Sequence, residues 1–321
     1  MRALGRLLAG IGWTIVAVVG GVIAFVMLTP DAPASGPKPA AMAMDPAFAA
    51  NPLVAAIRSA SAGLRPPGVD CSAPGFEAVA QTNGLTLTTL VWAPFHRPET
   101  GWEVYAPRIS QEIQTDCPPD SAAFAKALAK WQGVRRLPAN GQLDPATFGL
   151  MSNSWELARP FVRLSQTGVC PPAPDDTNLA WAAPEEGFAR KPVQLRPGVL
   201  TAYRQMVAAA RADSPAIAAD PRLLTIFSGY RSPDADAARC ARDNDCENIT
   251  RAACSAHRTG LAMDLYLGAA PGSAPELSND ANRLYQSKSP AYAWMIVNAA
   301  RFGFVNYPFE PWHWEWTGEP Q

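Results

Sequence analysis

Ser255-Ala-His257-Arg-Thr-Gly260-Leu-Ala262-Met-Asp264 is the stretch on which the reading of this chain turns. Its second half continues as GLAMDLYLG, residues 260–268, in which apolar and polar side chains alternate with the period of a β-strand. Asp264 sits between Met263 and Leu265, so its carboxylate leaves the face that those two bury. Gly260 supplies the freedom to turn between His257 and that strand. On either side the patterns change. VLTAYRQMVAAARA (199–212) places Leu200, Tyr203, Met206 and Val207 on one helical face. RLLTIFSGYRS (222–232) is a short apolar strand ended by Gly229. YAWMIVNAARFGF (292–304) reads as a helix closed by Gly303, and FEPWHWEWTG (309–318) as a final aromatic strand. Helices and strands mixed in this way predict an α+β domain over residues 191–321, a mainly antiparallel sheet with flanking helices.

The chemistry lies in the same segments. The chain has only three histidines, and two of them, His257 and His313, fall in strongly marked phrases. Zinc takes imidazole nitrogen and carboxylate oxygen in tetrahedral geometry, and a catalytic site uses three protein ligands. His257, Asp264 and His313 supply two nitrogens and one oxygen. Glu310, three residues before His313, is free to hold the attacking water and take its proton, then pass it to the leaving amine. Its rival as base is Glu315, on the same strand face as His313. Arg231, at the end of strand TIFSGY, offers a planar fork for a substrate carboxylate or an oxyanion; the competing reading is a surface ion pair. Ser255, Tyr230 and Trp312, inside the same phrases, are assigned to substrate contact.

Taken together, Ser228-Gly-Tyr-Arg231-Ser232, then Ser255–Asp264, then Glu310-Pro-Trp-His313 resemble, in order, the SGYRS, SxHxxGxAxD and ExWH phrases of the zinc D-alanyl-D-alanine carboxypeptidases of the VanY type. That family belongs to the wider D-Ala-D-Ala dipeptidase and Hedgehog-like zinc fold. The resemblance spans about 130 residues. It implies zinc on His257, Asp264 and His313, Glu310 as base, and Arg231 in transition-state or substrate binding. It also implies hydrolysis in the peptidoglycan stem peptide, typically releasing a terminal D-alanine. An endopeptidase of the same fold (L-Ala-D-Glu type) and a non-catalytic wall-binding or scaffold protein are the alternatives. Two departures bear on substrate preference: the cysteine-rich segment 234–254, and Trp314-Glu315-Trp316 where an aromatic-Arg-aromatic run is common.

Toward the N-terminus, residues 11–28, IGWTIVAVVGGVIAFVML, carry no charge and follow Arg2 and Arg6. Residues 1–29 therefore read as a signal-anchor helix in the inner membrane that leaves the rest of the chain in the periplasm. A cleaved signal peptide ending near Ala32-Pro33-Ala34 is the competing reading and would make the protein secreted. Both place the folded part outside the cytoplasm, in the cell envelope. Export makes disulfides of the six cysteines. Six allow 15 pairings. Short separation favours Cys71 with Cys117 and Cys240 with Cys246, leaving Cys170 with Cys254; a zinc cluster of the last three with His257 competes.

Residues 30–67 are a Pro/Ala-rich tether. Residues 68–152 form a small helical module: Phe124, Leu128 and Trp131 share a helical face, and Asp144-Pro145 caps a following helix. Trp131-Gln132, Leu137, Asn140-Gly141, Leu143-Asp144, Thr147 and Leu150 resemble the closing phrase of three-helix peptidoglycan-binding domains, Asn140 standing where that family usually has Asp; a plain helical hairpin is the alternative. Residues 153–190 read as a linker, or a loop wrapped on the next domain. His96 falls in a loop and reads as exposed. The lone S-x-x-K, Ser35 to Lys38, lies in the tether, where nothing would hold a nucleophile. A net charge of −1 leaves no basic footprint for nucleic acid, so the expected partners are the stem peptide and, through the N-terminal helix, the membrane.

Overall fold

The structure, a computed structural model, describes residues 69–166, 168–244, 246 and 254–318. The signal-anchor and tether readings fall outside them. Among the described residues no helix is long and apolar enough to cross a membrane.

The fold is α+β, as the alternating patterns predict. Two short pairs, β1 (Val91–Trp92) with β2 (Glu99–Thr100) and β3 (Ala180–Trp181) with β4 (Gln194–Leu195), accompany a central four-stranded antiparallel sheet in the order β5-β6-β8-β7: β5 is Ile226–Ser228, β6 Ala262–Leu265, β7 Phe304–Asn306 and β8 His313–Trp316. The register sets Asp264 opposite His313 on one side and opposite Ser228 on the other. One row across three strands thus holds two of the three expected metal ligands. All four residues of β6 are buried, because helices cover the sheet. The long helix Pro197–Asp213 and the helix Pro290–Asn298 supply Val199, Tyr203, Met206, Tyr292 and Met295 to the same core as Ile226, Met263, Leu265 and Trp314. Gly303 closes the second of these, through a 3₁₀ turn, at φ +81°.

A second core gathers the N-terminal helices. We label them α1 (Glu77–Thr89), α2 (Ala106–Glu112), α3 (Ala122–Val134), α4 (Pro145–Ala158) and α5 (Pro160–Leu164). Asp144 caps α4 as expected, its carboxylate accepting from the Thr147 N–H at 2.7 Å. The phrase read from Gln132 to Thr147 is organised by two buried amides. Gln132 accepts from the Gly141 N–H and donates to Gln142 O and Thr147 Oγ1. Asn83 of α1 donates to Gly141 O and accepts from the Leu143 N–H. These residues therefore have a structural task in joining α1, α3 and α4.

The second core is continuous with the sheet domain. Tyr307 and Phe309, from the β7–β8 connection, pack among Phe95, Tyr105, Phe148 and Trp155. Arg283, with a fully buried side chain, pairs with Glu99 at 3.0 Å and donates to Tyr105 OH and Phe309 O. The helices also run on past the predicted module: residues 153–158 complete α4 and α5 follows, where a linker is expected. Pro160 starts a new helix because proline fits the first turn, where no intrahelical N–H bond is needed. Beyond it the chain wraps on the sheet domain. Ala180–Trp181 pairs with Gln194–Leu195, and Gly187 bridges to Ile226. The three cysteine pairs are Cys71–Cys117, Cys170–Cys254 and Cys240–Cys246. That removes the thiolates a cysteine zinc cluster would need.

Candidate metal centre and cleft

His257 lies on a 3₁₀ turn, Ala256–Thr259, that ends at Gly260 with φ +68°. A side chain at Gly260 would be strained there and crowd Leu179 and Arg196, so the turn into β6 requires glycine. The turn aims the imidazole at the end of β5, where Nδ1 lies 2.8 Å from the carbonyl of Gly229. A carbonyl only accepts, so Nδ1 carries the proton and Nε2 presents a lone pair. At Gly229 a Cβ would run into Val193 and Gln194 O, which keeps this close approach for glycine.

His257 Nε2 stands 3.1 Å from Asp264 Oδ2, and His313 Nδ1 stands 2.9 Å from Asp264 Oδ1. One donor atom from each of the three residues falls within a 4.8 Å span, and all three residues are buried. Burial alone would raise the Asp264 pKa. The positive charge that the two imidazoles can carry, with the hydrogen bond from His313 Nδ1, outweighs it and holds the carboxyl well below its usual range. For His313, burial alone would lower the pKa, yet the hydrogen bond to Asp264 and the charges of Asp264 and Glu315 raise it to about 9. The Asp264 carboxylate between the two imidazoles thus makes a place suited to a cation. Two imidazoles and one carboxylate with a fixed tautomer fit zinc.

Glu310 sits at the turn into β8, where the His313 N–H donates to the Glu310 carbonyl at 2.9 Å. Its Oε2 lies 4.0 Å from His313 Nδ1. Burial, with the Asp264 charge adding to it, pushes the carboxyl up to about 7 against the pull of His313. Glu315, the rival base, is placed otherwise. It is 1% exposed, Oε1 accepts from Arg159 Nε at 2.7 Å, and Oε2 accepts from the Phe161 N–H at 2.9 Å. Burial would raise its pKa, but the Arg159 charge brings it down to about 2.

The two histidines, Asp264 and Glu310 line a cleft of about 310 Å³, together with Arg231, Ser255 and Trp312. Arg231 is ion-paired to Asp236 and donates to Ser255 Oγ at 3.1 Å. Ser255 Oγ in turn donates to Asp236 Oδ2 at 2.8 Å, so the guanidinium is held by a buried carboxylate and keeps one edge at the cleft. Trp312 belongs to the core below it. Tyr230 is half-buried and does not line the cleft; its N–H is tied to Gln194 O. His96 is exposed.

Sequence reasoning missed one wall. Glu156, Arg159, Phe161 and Val162 line the same cleft from the end of α4 and from α5. Nothing in their spacing marks them, since Arg159 and Phe161 meet Glu315 from more than 150 residues away. Asp236 lies in the cysteine-rich segment, where no spacing marks it.

Residues 192–319 match the family model described as VanY, D-alanyl-D-alanine carboxypeptidase. The match holds the whole sheet and all three motifs; the helices α1 to α5 precede it. No curated protein matches the chain.

Proposed function

We propose that this chain is a zinc-dependent peptidase of the cell envelope that hydrolyses a bond of the peptidoglycan stem peptide, with removal of a terminal D-alanine as the favoured reaction. The observation that carries the reading is the convergence of His257, Asp264 and His313 at a cleft that Glu310 and Arg231 also line. The family match over residues 192–319 supports the substrate class. The disulfide pairs support an oxidising compartment, in keeping with export.

His257 through Nε2, Asp264, and His313 through Nδ1 would hold the ion. Zinc, when bound, supplies a positive charge that polarises a carbonyl and acidifies water. The rest falls to the chain. Glu310, held near neutrality by burial, takes a proton from the attacking water as its oxygen bonds to the scissile carbon. It then gives that proton to the amine as the C–N bond breaks. Arg231, fixed by Asp236, offers donors to an anionic substrate group. Trp312 and the α5 residues Phe161 and Val162 form part of the cleft wall.

The test is Glu310→Gln, which keeps shape and removes the base. It should bind zinc like the wild type and lose on the order of 10²- to 10⁴-fold in stem-peptide cleavage. Cleavage at the native rate with zinc bound would show that Glu310 has no such role.

A further inference from the structure

We infer that Arg159, supplied by the N-terminal helices, is a positioning residue of the metal centre, acting on His313 through Glu315. The inference rests on the metal-binding reading of His257, Asp264 and His313.

The geometry forms one line. His313 faces Asp264 with Nδ1, and its other nitrogen, Nε2, lies 3.4 Å from Glu315 Oε1. Nε2 is buried and has no well-aligned hydrogen-bond partner among the described residues. Among the described residues Glu315 is the acceptor placed to take an Nε2 proton, which an imidazole must keep there if Nδ1 is to offer its lone pair to a cation. Among the described residues no hydrogen bond to the Glu315 carboxylate comes from the sheet domain. Both of its oxygens are taken by residues 159–161: the Arg159 guanidinium on Oε1 and the Phe161 N–H on Oε2. Arg159 is fixed in turn. It lies 2.7 Å from Glu156 through Nη1, and its guanidinium carbon stands 4.0 Å over the Tyr307 ring. Glu156 belongs to α4 and Tyr307 to the sheet domain, so the arginine is clamped from both sides.

The consequence is that residues outside the matched stretch complete the metal centre. Without Arg159, Glu315 would be a buried carboxylate with no compensating cation, beside an imidazole. Its oxygen would no longer be held 3.4 Å from Nε2, and the His313 ring would lose the acceptor that fixes its orientation. With Arg159 in place the carboxylate is neutralised from behind and remains an acceptor for Nε2–H.

The experiment measures zinc affinity of the full-length protein by chelator competition, for wild type, Arg159→Met, Glu315→Gln and the double variant. Arg159→Met should bind zinc about 10- to 100-fold more weakly, the usual effect of losing a group that orients a metal ligand. Glu315→Gln should fall in the same range, and the double variant should be no weaker than the worse single one, since both act through one chain. Cobalt in place of zinc gives a second readout: its visible spectrum should change in Arg159→Met, because the His313 ring is no longer held. Wild-type zinc affinity and an unchanged cobalt spectrum in Arg159→Met would overturn the inference while leaving the metal reading standing. Should Arg159→Met fail to fold, Glu315→Gln decides in the same way. Absence of zinc binding by the wild type would remove the metal reading itself, and the inference with it.

Discussion

His313 is the residue on which most of the chemistry bears. In the metal-free protein it carries a pKa of about 9, against 6.5 for an ordinary histidine, because Asp264 and Glu315 overcome its burial. The sign follows: a raised pKa adds stability that is whole below about pH 6.5 and is lost as pH rises through about 9. Zinc must displace that proton. Zinc binding at pH 7 should therefore release a proton, and affinity should climb with pH up to about 9. Calorimetry in two buffers of different ionisation enthalpy measures the proton count; a pH-independent affinity would contradict this. His257, Asp264, His313 and Glu310 were legible in the sequence, because two rare histidines stood at ligand spacing beside spaced carboxylates. The choice between Glu310 and Glu315 rested on less, since both lie near His313 in the chain. Burial separates them: Glu315 is sealed against Arg159, whereas Glu310 lines the cleft. Arg159 itself had no signal, since an isolated arginine at a helix end looks like any solvated charge.

At the scale of elements, the apolar periodicities predicted β5, β6, β8 and the helices Pro197–Asp213 and Pro290–Asn298. Helices Pro233–Asp243 and Asp280–Ser287 are too polar to show such a period, and β7 is only three residues long. Turn chemistry placed the Asp144 cap and the Gly303 stop. In helix α4 the signal stopped short of the end. Its last residues, 153–158, bury only Trp155 while Leu157 is exposed, so the apolar period fades before the helix ends. The phrase Gln132–Thr147 gives an element-scale prediction. Gln132→Leu leaves the Gly141 N–H and the Thr147 hydroxyl without their partner in a buried place. It should destabilise the protein by ~1–3 kcal/mol, read as a lower urea midpoint at unchanged slope. An unchanged midpoint would show that the amide does not hold the α3–α4 turn.

For the whole molecule, the sequence suggested separate units joined by a linker, whereas the described residues share aromatic and ionic contacts between the helices and the sheet. The reason is long-range: Tyr307 and Phe309 enter the helical core, and Arg283 reaches Glu99 from 184 residues away. Spacing along the chain cannot announce such pairs. Arg283→Met would leave Glu99 as a buried unpaired charge and should cost ~3–5 kcal/mol. It leaves Arg159 and Glu315 untouched, so the folded fraction should keep wild-type zinc affinity while thermal unfolding begins earlier. An unaltered unfolding temperature would mean that this ion pair does not join the two cores.

The central claim is a zinc-dependent cut in the stem peptide. Mass spectrometry of a stem pentapeptide ending in D-Ala-D-Ala, after incubation with the zinc-loaded protein, tests it most directly. The account predicts a product lighter by one alanine residue, and no product once zinc is chelated. An intact peptide in the presence of bound zinc would contradict it.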